Sequence, residues 1–557
     1  MNTKHVRLAV GAAMLLFLGV VSLFSQTSSW VFLGNDDRLH YATDPAGNRI
    51  MDFSFAGYGG GGVLLPNAPV RATVVPSGGD DTVAIQSAID QVSSLPLGNK
   101  VFRGTVQLSS GTFNVSSTLN ITASGVILRG YGTGTDGTRI NMKGNPFLFL
   151  KIAGSGSWQT VGNSATITDS YVPAGANSFT VNDASGFAVG DTVLIRRPVT
   201  AAWIHFMGMD TLVRNGQPQT WISPGSTITT DRVIAAINGN RITLDVPLTD
   251  NLDFQFVSPT GVSVTKYIFP GRISQVAAEG FSVIANPQNV DITEPQFNGL
   301  NMSAAINSWI RDIIFQDTQN TITISSNVKE TTLDNVVVIH TKPHTGDGPA
   351  DFALSGTQLF VNNSAVKKVC DFVADPNCDP QSTGTWAAVT QSRVTGPIVL
   401  LNFFGADRGF DPHQRWATGM LCDNCNFPNS HTSDKAGIAY SDRGILGSGQ
   451  GWDAGWSVAW NVNATYFLVQ QPPGSQNFCI GCIGTILTEA QPGSSSPLLP
   501  NGIYDSFGTH VTPSSLYLEQ LCERLGPGAV AKIGYGGSCA TDDSEDADET
   551  ASSSPST

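Results

Sequence analysis

Short runs with apolar residues at alternate or consecutive positions recur along most of the chain. They include GTVQLSSGTFNV (104–115), LNITASGVILRGYG (119–132), WIRDIIFQD (309–317), NTITISSN (320–327), TTLDNVVVIHT (331–341), TGPIVLLNFFG (395–405) and AGIAYSDRG (436–444). Most end in Gly, Asn or Asp, the pattern of a strand followed by a turn. Neighbouring runs lie roughly 10 to 25 residues apart, an interval that suits coils of a solenoid, each stacked on the next. A β-sandwich yields strands of the same length, so spacing alone leaves both architectures open. Long helical periodicity is nearly absent.

Two stretches break the strand pattern with helical spacing. In the first, Asp80, Asp81 and Thr82 are capping candidates for a helix with Val83, Ile85, Ala88, Ile89 and Val92 on one face. The run 103–134 that follows reads strand–turn–strand–turn–strand. This order over Asp80–Gly134 resembles the opening of the pectate-lyase-like superfamily, where a short helix covers the first coils of a right-handed parallel β-helix. Such a cap has a physical task, because an open solenoid end exposes unpaired strand edges and an apolar lumen. The resemblance implies the fold; it leaves the activity open, since that superfamily holds lyases, hydrolases, epimerases and phage adhesins. The second helix is LYLEQLCERLG (516–526), with Leu516, Leu521 and Leu525 inward, expected to close the far end of the solenoid.

Between them, SATITDSYVPAGANSFTV and DRVIAAINGNRITLDVPL read as hairpins, with a turn near Asn238 and Gly239. The expected organisation is therefore all-β. Residues 1–25 are a signal peptide or signal-anchor, and 26–161 hold the N-terminal segment, capping helix and first coils. An inserted β-rich lobe spans 162–250, the main β-helix 251–487, a closing segment 488–539 and an acidic tail 540–557. Trp203, His205 and Trp221, at the exit of the lobe, suit either a sugar groove or packing of lobe on helix.

Composition narrows the compartment. Lys4, His5 and Arg7 precede an apolar run from Leu8 to Phe24, the form of a secretory signal, cleaved or retained as an anchor. The protein is expected to be secreted or held at the cell surface, touching a membrane only if that segment is uncleaved. Eight cysteines fall into four local pairs: Cys370 with Cys378, Cys422 with Cys425, Cys479 with Cys482, and Cys522 with Cys539. In an exported chain these read as disulfides, although both C-x-x-C pairs also have zinc-knuckle spacing. Sequons at Asn114, Asn120, Asn301, Asn362 and Asn463 are glycan acceptors in a eukaryotic-type pathway. The net charge of −14 excludes a nucleic-acid partner, which needs a basic surface. A polysaccharide remains the expected partner.

Polar residues beyond those that turns require concentrate between His340 and Trp460. His340, Lys342, His344, Asp347 and Asp351 form one set. Asp407, Arg408, Asp411, His413, Arg415, Trp416 and Asp423 form another, and Asp442, Arg443, Gln450, Trp452, Asp453, Trp456 and Trp460 a third. Equivalent positions on successive coils stack about 4.8 Å apart, so distant residues can line one trough. The expected reaction is β-elimination on a uronate polymer. His413 would take the C5 proton, and Arg415, two residues on along an extended strand, would hold the neighbouring carboxylate. His340, Lys342 and His344 are the competing set. Trp416, Gln450, Trp452, Trp456 and Trp460 are the candidate sugar platform. Glycoside hydrolysis by a pair from Asp407, Asp411, Asp442 and Asp453 is one alternative, and a non-catalytic carbohydrate-binding surface protein the other. The polygalacturonase pattern is missing: GSGQGW (447–452) puts Gln450 where its Gly-His-Gly element carries His. No cofactor is assigned; the calcium-binding Asp pattern of pectate lyases has no clear match, which leaves calcium open.

Overall fold

One row of inward side chains shows how the short runs become a column. Val106 pairs in register with Leu128, then Ala278, Ile310, Leu333, Val361, Leu400, Cys422, Ala459 and Cys479. All ten are fully buried. Each run contributes one rung, and no rung buries its apolar side without the coils above and below. The computed structural model describes residues 26–97, 101–344, 348–370, 383–428, 437–487, 499–536 and 539. The signal or anchor segment, the acidic tail and Cys378 lie outside the described residues. A 29-stranded sheet of parallel pairs winds through three faces, as a parallel β-helix. The first face contains the row above. The second carries Gly111–Val115, Thr138–Met142 and Ala365–Lys368, and the third Leu148–Ala153, Asn298–Ser303, Gln319–Ile324 and Ala350–Leu354.

The bend from first to second face recurs at one position. Asp312, Asn335, Asn363, Asn402, Asn424 and Asn461 all have φ between +46° and +53°, and Gly481 takes +65°. This left-handed geometry is tolerated by Asn, Asp and Gly and costly for branched residues. Bonds such as Asn335 Nδ2–H to Asp312 Oδ1, at 2.8 Å, tie successive bends.

Helix α1 (Thr82–Ser93) covers the first coils, with Ile85, Ala88, Ile89 and Val92 sharing the core of Val106, Leu119 and Val126. Val83, expected inward, is 77% exposed. It precedes Ile85 by two residues, which turns it to the opposite side of the helix. An antiparallel six-stranded sheet projects from the column, in the order Gln159–Thr166, Ser263–Ile268, Thr192–Pro198, Thr227–Asn238, Arg241–Leu244 and Ser178–Thr180. Its core is its own, built on Phe179, Val193, Ile195, Ile234, Ile242 and Val264. Two short helices, α2 (Ala201–Phe206) and α3 (Phe254–Val257), lie where this lobe meets the column.

The C-terminal helices α4 (Leu516–Leu525) and α5 (Pro527–Lys532) do not close the far end. They return along the outside of the first face, packed with the N-terminal segment: Phe53, Ala56, Leu401, Leu421, Trp460, Leu516, Tyr517 and Leu521 form one cluster. Leu525, expected inward, is 48% exposed for the same reason. Residues 50–69 run along this face as a strap. Gly57 N donates to Gln358 O (3.0 Å), Tyr58 N to Thr332 Oγ1 (2.9 Å), Gly59 N to Asn307 Oδ1 (3.1 Å), and Thr105 N to Pro69 O (2.9 Å). The outer side of the first face is therefore occupied by the chain's own ends.

Asp423 anchors this return. Its Oδ2 accepts from Ser515 Oγ (2.7 Å) and Tyr517 N (2.8 Å), and burial pushes its pKa up to about 7. The protonated form is thus favoured in the folded protein relative to the unfolded chain. Its stabilisation is complete below the ordinary aspartate value of 3.8 and is lost as pH rises through about 7. Over that window it amounts to an effect on the order of a few kcal/mol. Asp423→Asn, which cannot ionise, is expected to melt higher than the parent at pH above about 7 and to converge with it near pH 4. Melting curves across that range check it; parallel curves would remove Asp423 as the cause.

Candidate functional site

Four of the residues marked in the sequence meet in one hydrogen-bonded chain at the corner where the third face turns into the first. Asp411 Oδ2 accepts from Arg443 Nη1 at 2.5 Å, and Arg443 Nε donates to Gln450 Oε1 at 2.8 Å. Gln450 Nε2 then lies 2.9 Å from His413 Nε2. The chain has a direction. Since Arg443 can only donate, the Gln450 oxygen faces it and the amide N–H must face His413. That N–H occupies the His413 Nε2 lone pair, so the ring proton sits on Nδ1. Burial, and then the positive charge of Arg443, push the His413 pKa below the ordinary histidine value, which keeps the ring neutral at pH 7. Asp453 lies behind this chain, accepting from Ser441 N at 2.7 Å; burial and the charge of Asp411 push its carboxyl well up.

Arg415 does not share a strand face with His413. Residues 411–416 are not extended, and Arg415 and Trp416 take φ of +55° and +68°, which turns their side chains apart. The Arg415 guanidinium goes to Gln414 and, at 2.7 Å, to Ser448 Oγ. The competing set lies at another corner, where the second face turns into the third. There His340 Nε2 is 3.0 Å from Asp351 Oδ2, and both are buried. Burial opposes its charge, but the Asp351 carboxylate outweighs burial and raises the His340 pKa. His344 is buried against Val290 O at 2.9 Å, and Lys342 is exposed. Asp347 lies outside the described residues. Asp407 is fully buried and accepts from Gly384 N at 2.8 Å, while Asp442 Oδ1 accepts from Gly444 N at 2.7 Å.

Trp452 and Trp460 are not part of a surface platform. Trp452 is 2% exposed and Trp460 0%, the latter donating from Nε1 to Pro513 O at 3.0 Å. Trp416 and Trp452 pack with Trp203 and Trp221 in the apolar joint between lobe and column. Trp456 is 7% exposed. The Gly-rich neighbourhood suggested open loops, but the lobe covers it: Gly451 abuts Trp221 and Gly449 abuts Gln219. Cys479–Cys482 and Cys522–Cys539 are disulfides, and Cys370 is disulfide-bonded. Cys422 and Cys425, expected as a third local bridge, are free, buried thiols. Cys422 fills the lumen position that Leu400 and Ala459 fill on adjacent coils, and Cys425 Sγ–H donates to Leu400 O at 3.4 Å. The Asn362 sequon is buried, its amide bonded to Asp334 Oδ1 at 2.9 Å. Among the described residues, no group of three or more His, Cys, Asp or Glu can hold a metal ion, and no helix is long and apolar enough to cross a membrane.

A cleft of about 500 Å³ opens where the lobe, the N-terminal segment around Trp30 and Asp44–Asn48, and the column meet, and no single stretch of sequence announced it. Trp30, Tyr171, Phe206, Phe256 and Trp456 contribute aromatic surface to its lining, and Arg197 and Asp250 are buried within that lining. Asp250 Oδ2 accepts from Trp416 Nε1 at 2.8 Å and from Arg197 Nη1 at 3.4 Å. The Arg197 guanidinium lies over the Trp203 ring, 4.1 Å from its centroid. Two buried polar atoms of lining residues, Arg197 Nε and Ser475 Oγ, have no hydrogen-bond partner among the described residues. Phe206, 38% exposed, stacks on Phe256 at 4.2 Å and offers its other side to the opening. The volume is that of a small-ligand site, and ring walls with a few buried polar groups suit a molecule with both C–H and O–H faces.

No family model matches the chain, and no curated protein matches its sequence. Among solved structures, the chain is similar to the tailspike protein gp49 from Pseudomonas phage LKA1. The identity is 14% and the TM-score 0.40, over 73% of this chain and 64% of that one, just under two thirds of its length. It is similar also to the tailspike of E. coli bacteriophage HK620 in complex with a pentasaccharide (11%, TM-score 0.40, 87% and 70% covered). A third is PfbA, a surface adhesin of Streptococcus pneumoniae (12%, TM-score 0.34, 79% and 78% covered).

Proposed function

We propose that this is an extracellular carbohydrate-binding protein that holds a polysaccharide segment in the cleft between lobe, N-terminal segment and column. The observation that carries the reading is the cleft's lining: aromatic side chains around two buried polar atoms that lack partners among the described residues. Pyranose rings present apolar C–H faces to such rings and hydroxyls to such atoms. Phe206→Ala removes one exposed ring and leaves the core untouched. A ring contact is worth about 0.5–1.5 kcal/mol, so saccharide affinity is expected to fall roughly 2- to 10-fold. Titration calorimetry measures it; affinity unchanged in both Phe206→Ala and Trp30→Ala would move the site elsewhere.

Elimination of a uronate polymer is the second reading, favoured by the neutral His413 ring with Arg415 close in sequence. It requires His413 Nε2 to exchange its bond with Gln450 for the substrate proton, because Nδ1 already carries hydrogen. An increase in ultraviolet absorbance from an unsaturated product, lost in His413→Ala, would establish it; hydrolysis would release reducing ends without that absorbance. The four aspartates proposed for hydrolysis are absent from the cleft lining, and each is at most 9% exposed.

A further inference from the structure

We infer that the cleft selects uncharged pyranose units and disfavours uronates, an inference that rests on the cleft being the saccharide site. Its ionisable lining consists, tyrosine apart, of the carboxylates Asp44, Asp250 and Asp253 against the guanidinium of Arg197. The positive charge is already engaged, since Arg197 Nη1 faces Asp250 Oδ2 and the guanidinium plane covers Trp203. Asp250 therefore balances Arg197, and Asp44 and Asp253 leave the lining negative. A uronate carboxylate placed there meets like charge in surroundings that water screens poorly.

The hydrogen-bonding groups point the same way. Arg197 Nε–H needs an acceptor and the carboxylates take donors, while Ser475 Oγ, Asn251, Gln471 and Gln476 can do either. A sugar hydroxyl is donor and acceptor at once and satisfies both kinds; a carboxylate only accepts. The aromatic lining adds contact without regard to charge.

The test compares oligosaccharides of matched length, neutral (gluco-, manno- and N-acetylglucosamine series) against oligogalacturonate and oligoguluronate, binding to the intact protein at low and high salt. At least one neutral series is expected to bind ten-fold or more tighter than either uronate, with little dependence on salt. Asp253→Asn keeps a good N-cap on α3, where Asp253 Oδ1 accepts from Gln255 N at 2.9 Å, and removes one charge. It is expected to narrow the gap several-fold, because uronate binding gains from the lost charge and neutral binding does not. Equal affinities, or a tighter uronate whose binding falls with salt and disappears in Arg197→Gln, would overturn the selectivity and leave the cleft as the site. Binding of neither class, or binding that Phe206→Ala does not weaken, would overturn the cleft reading and the selectivity with it.

Discussion

Asp231→Ala is expected to destabilise the protein by about 3–5 kcal/mol, the largest effect of any single polar substitution considered for this fold. Asp231 sits at the root of the lobe, 4% exposed, where it accepts from Tyr267 Oη (2.8 Å), Lys329 Nζ (3.0 Å) and Arg272 Nη1 (3.3 Å). Lys329 belongs to a strand of the first face and is 1% exposed, so this carboxylate joins lobe to column across a dry seam. Burial works against its ionisation, but Lys329 and Arg272 outweigh burial and hold the Asp231 pKa below the usual carboxylate value. Alanine would strand the buried Lys329 ammonium without the carboxylate that bonds it. Denaturant unfolding of Asp231→Ala and of the double variant Asp231→Leu/Lys329→Met separates charge from packing. The double variant is expected to regain most of the loss, because paired apolar replacements remove the desolvation cost of both ions. A double variant as unstable as the single one would show that the contribution is shape rather than charge.

The Arg197–Asp250 pair, at 3.4 Å, is balanced differently. Burial raises the Asp250 pKa despite Arg197, and burial lowers that of Arg197, so both groups are pushed toward neutrality. A pair of this kind contributes little net stability, since desolvation offsets attraction. Its removal matters for binding. Asp250→Ala frees Trp416 Nε1 and leaves Arg197 unpaired, at a cost of about 3 kcal/mol in stability and with at least ~100-fold weaker saccharide binding. Arg197→Met/Asp250→Leu is expected to fold about as stably as the parent and still not bind. A stable double variant that binds normally would show that the pair is structural and that the ligand lies elsewhere.

The column was legible because its grammar is local. Leu333, Val336 and Val338 bracket Asn335, and the same alternation about a bending residue repeats at Asn363, Asn402 and Asn424. Helix α1 was legible for the same reason, through Ile85, Ala88, Ile89 and Val92. The strap was not, because Gly57, Tyr58 and Gly59 bond to first-face strand residues far along the chain, which leaves no periodic trace. Its presence also explains the misplaced C-terminal helix: Leu516 and Leu521 do face inward, but toward Phe53, Ala56 and the outside of the first face. Within the site, the grouping of Asp411, His413, Arg443 and Gln450 could be seen in their spacing. Their geometry could not, since the two left-handed residues Arg415 and Trp416 and the direction of the Gln450 amide depend on neighbours. Tryptophans in a Gly-rich stretch suggested a platform; the lobe that buries Trp452 comes from another part of the chain. The cleft draws on Trp456, which its sequence marked, but also on Trp30, Arg197, Asp250 and Ser475, each unremarkable where it stands in sequence.

A crystal structure of the protein soaked with a neutral oligosaccharide tests the central claim most directly. Sugar density between Phe206, Trp456 and Ser475, with a hydroxyl within hydrogen-bonding distance of Arg197 Nε, is the predicted result. Density along the second or third face, or beside His413 and Arg415 with the cleft holding only water, would contradict it.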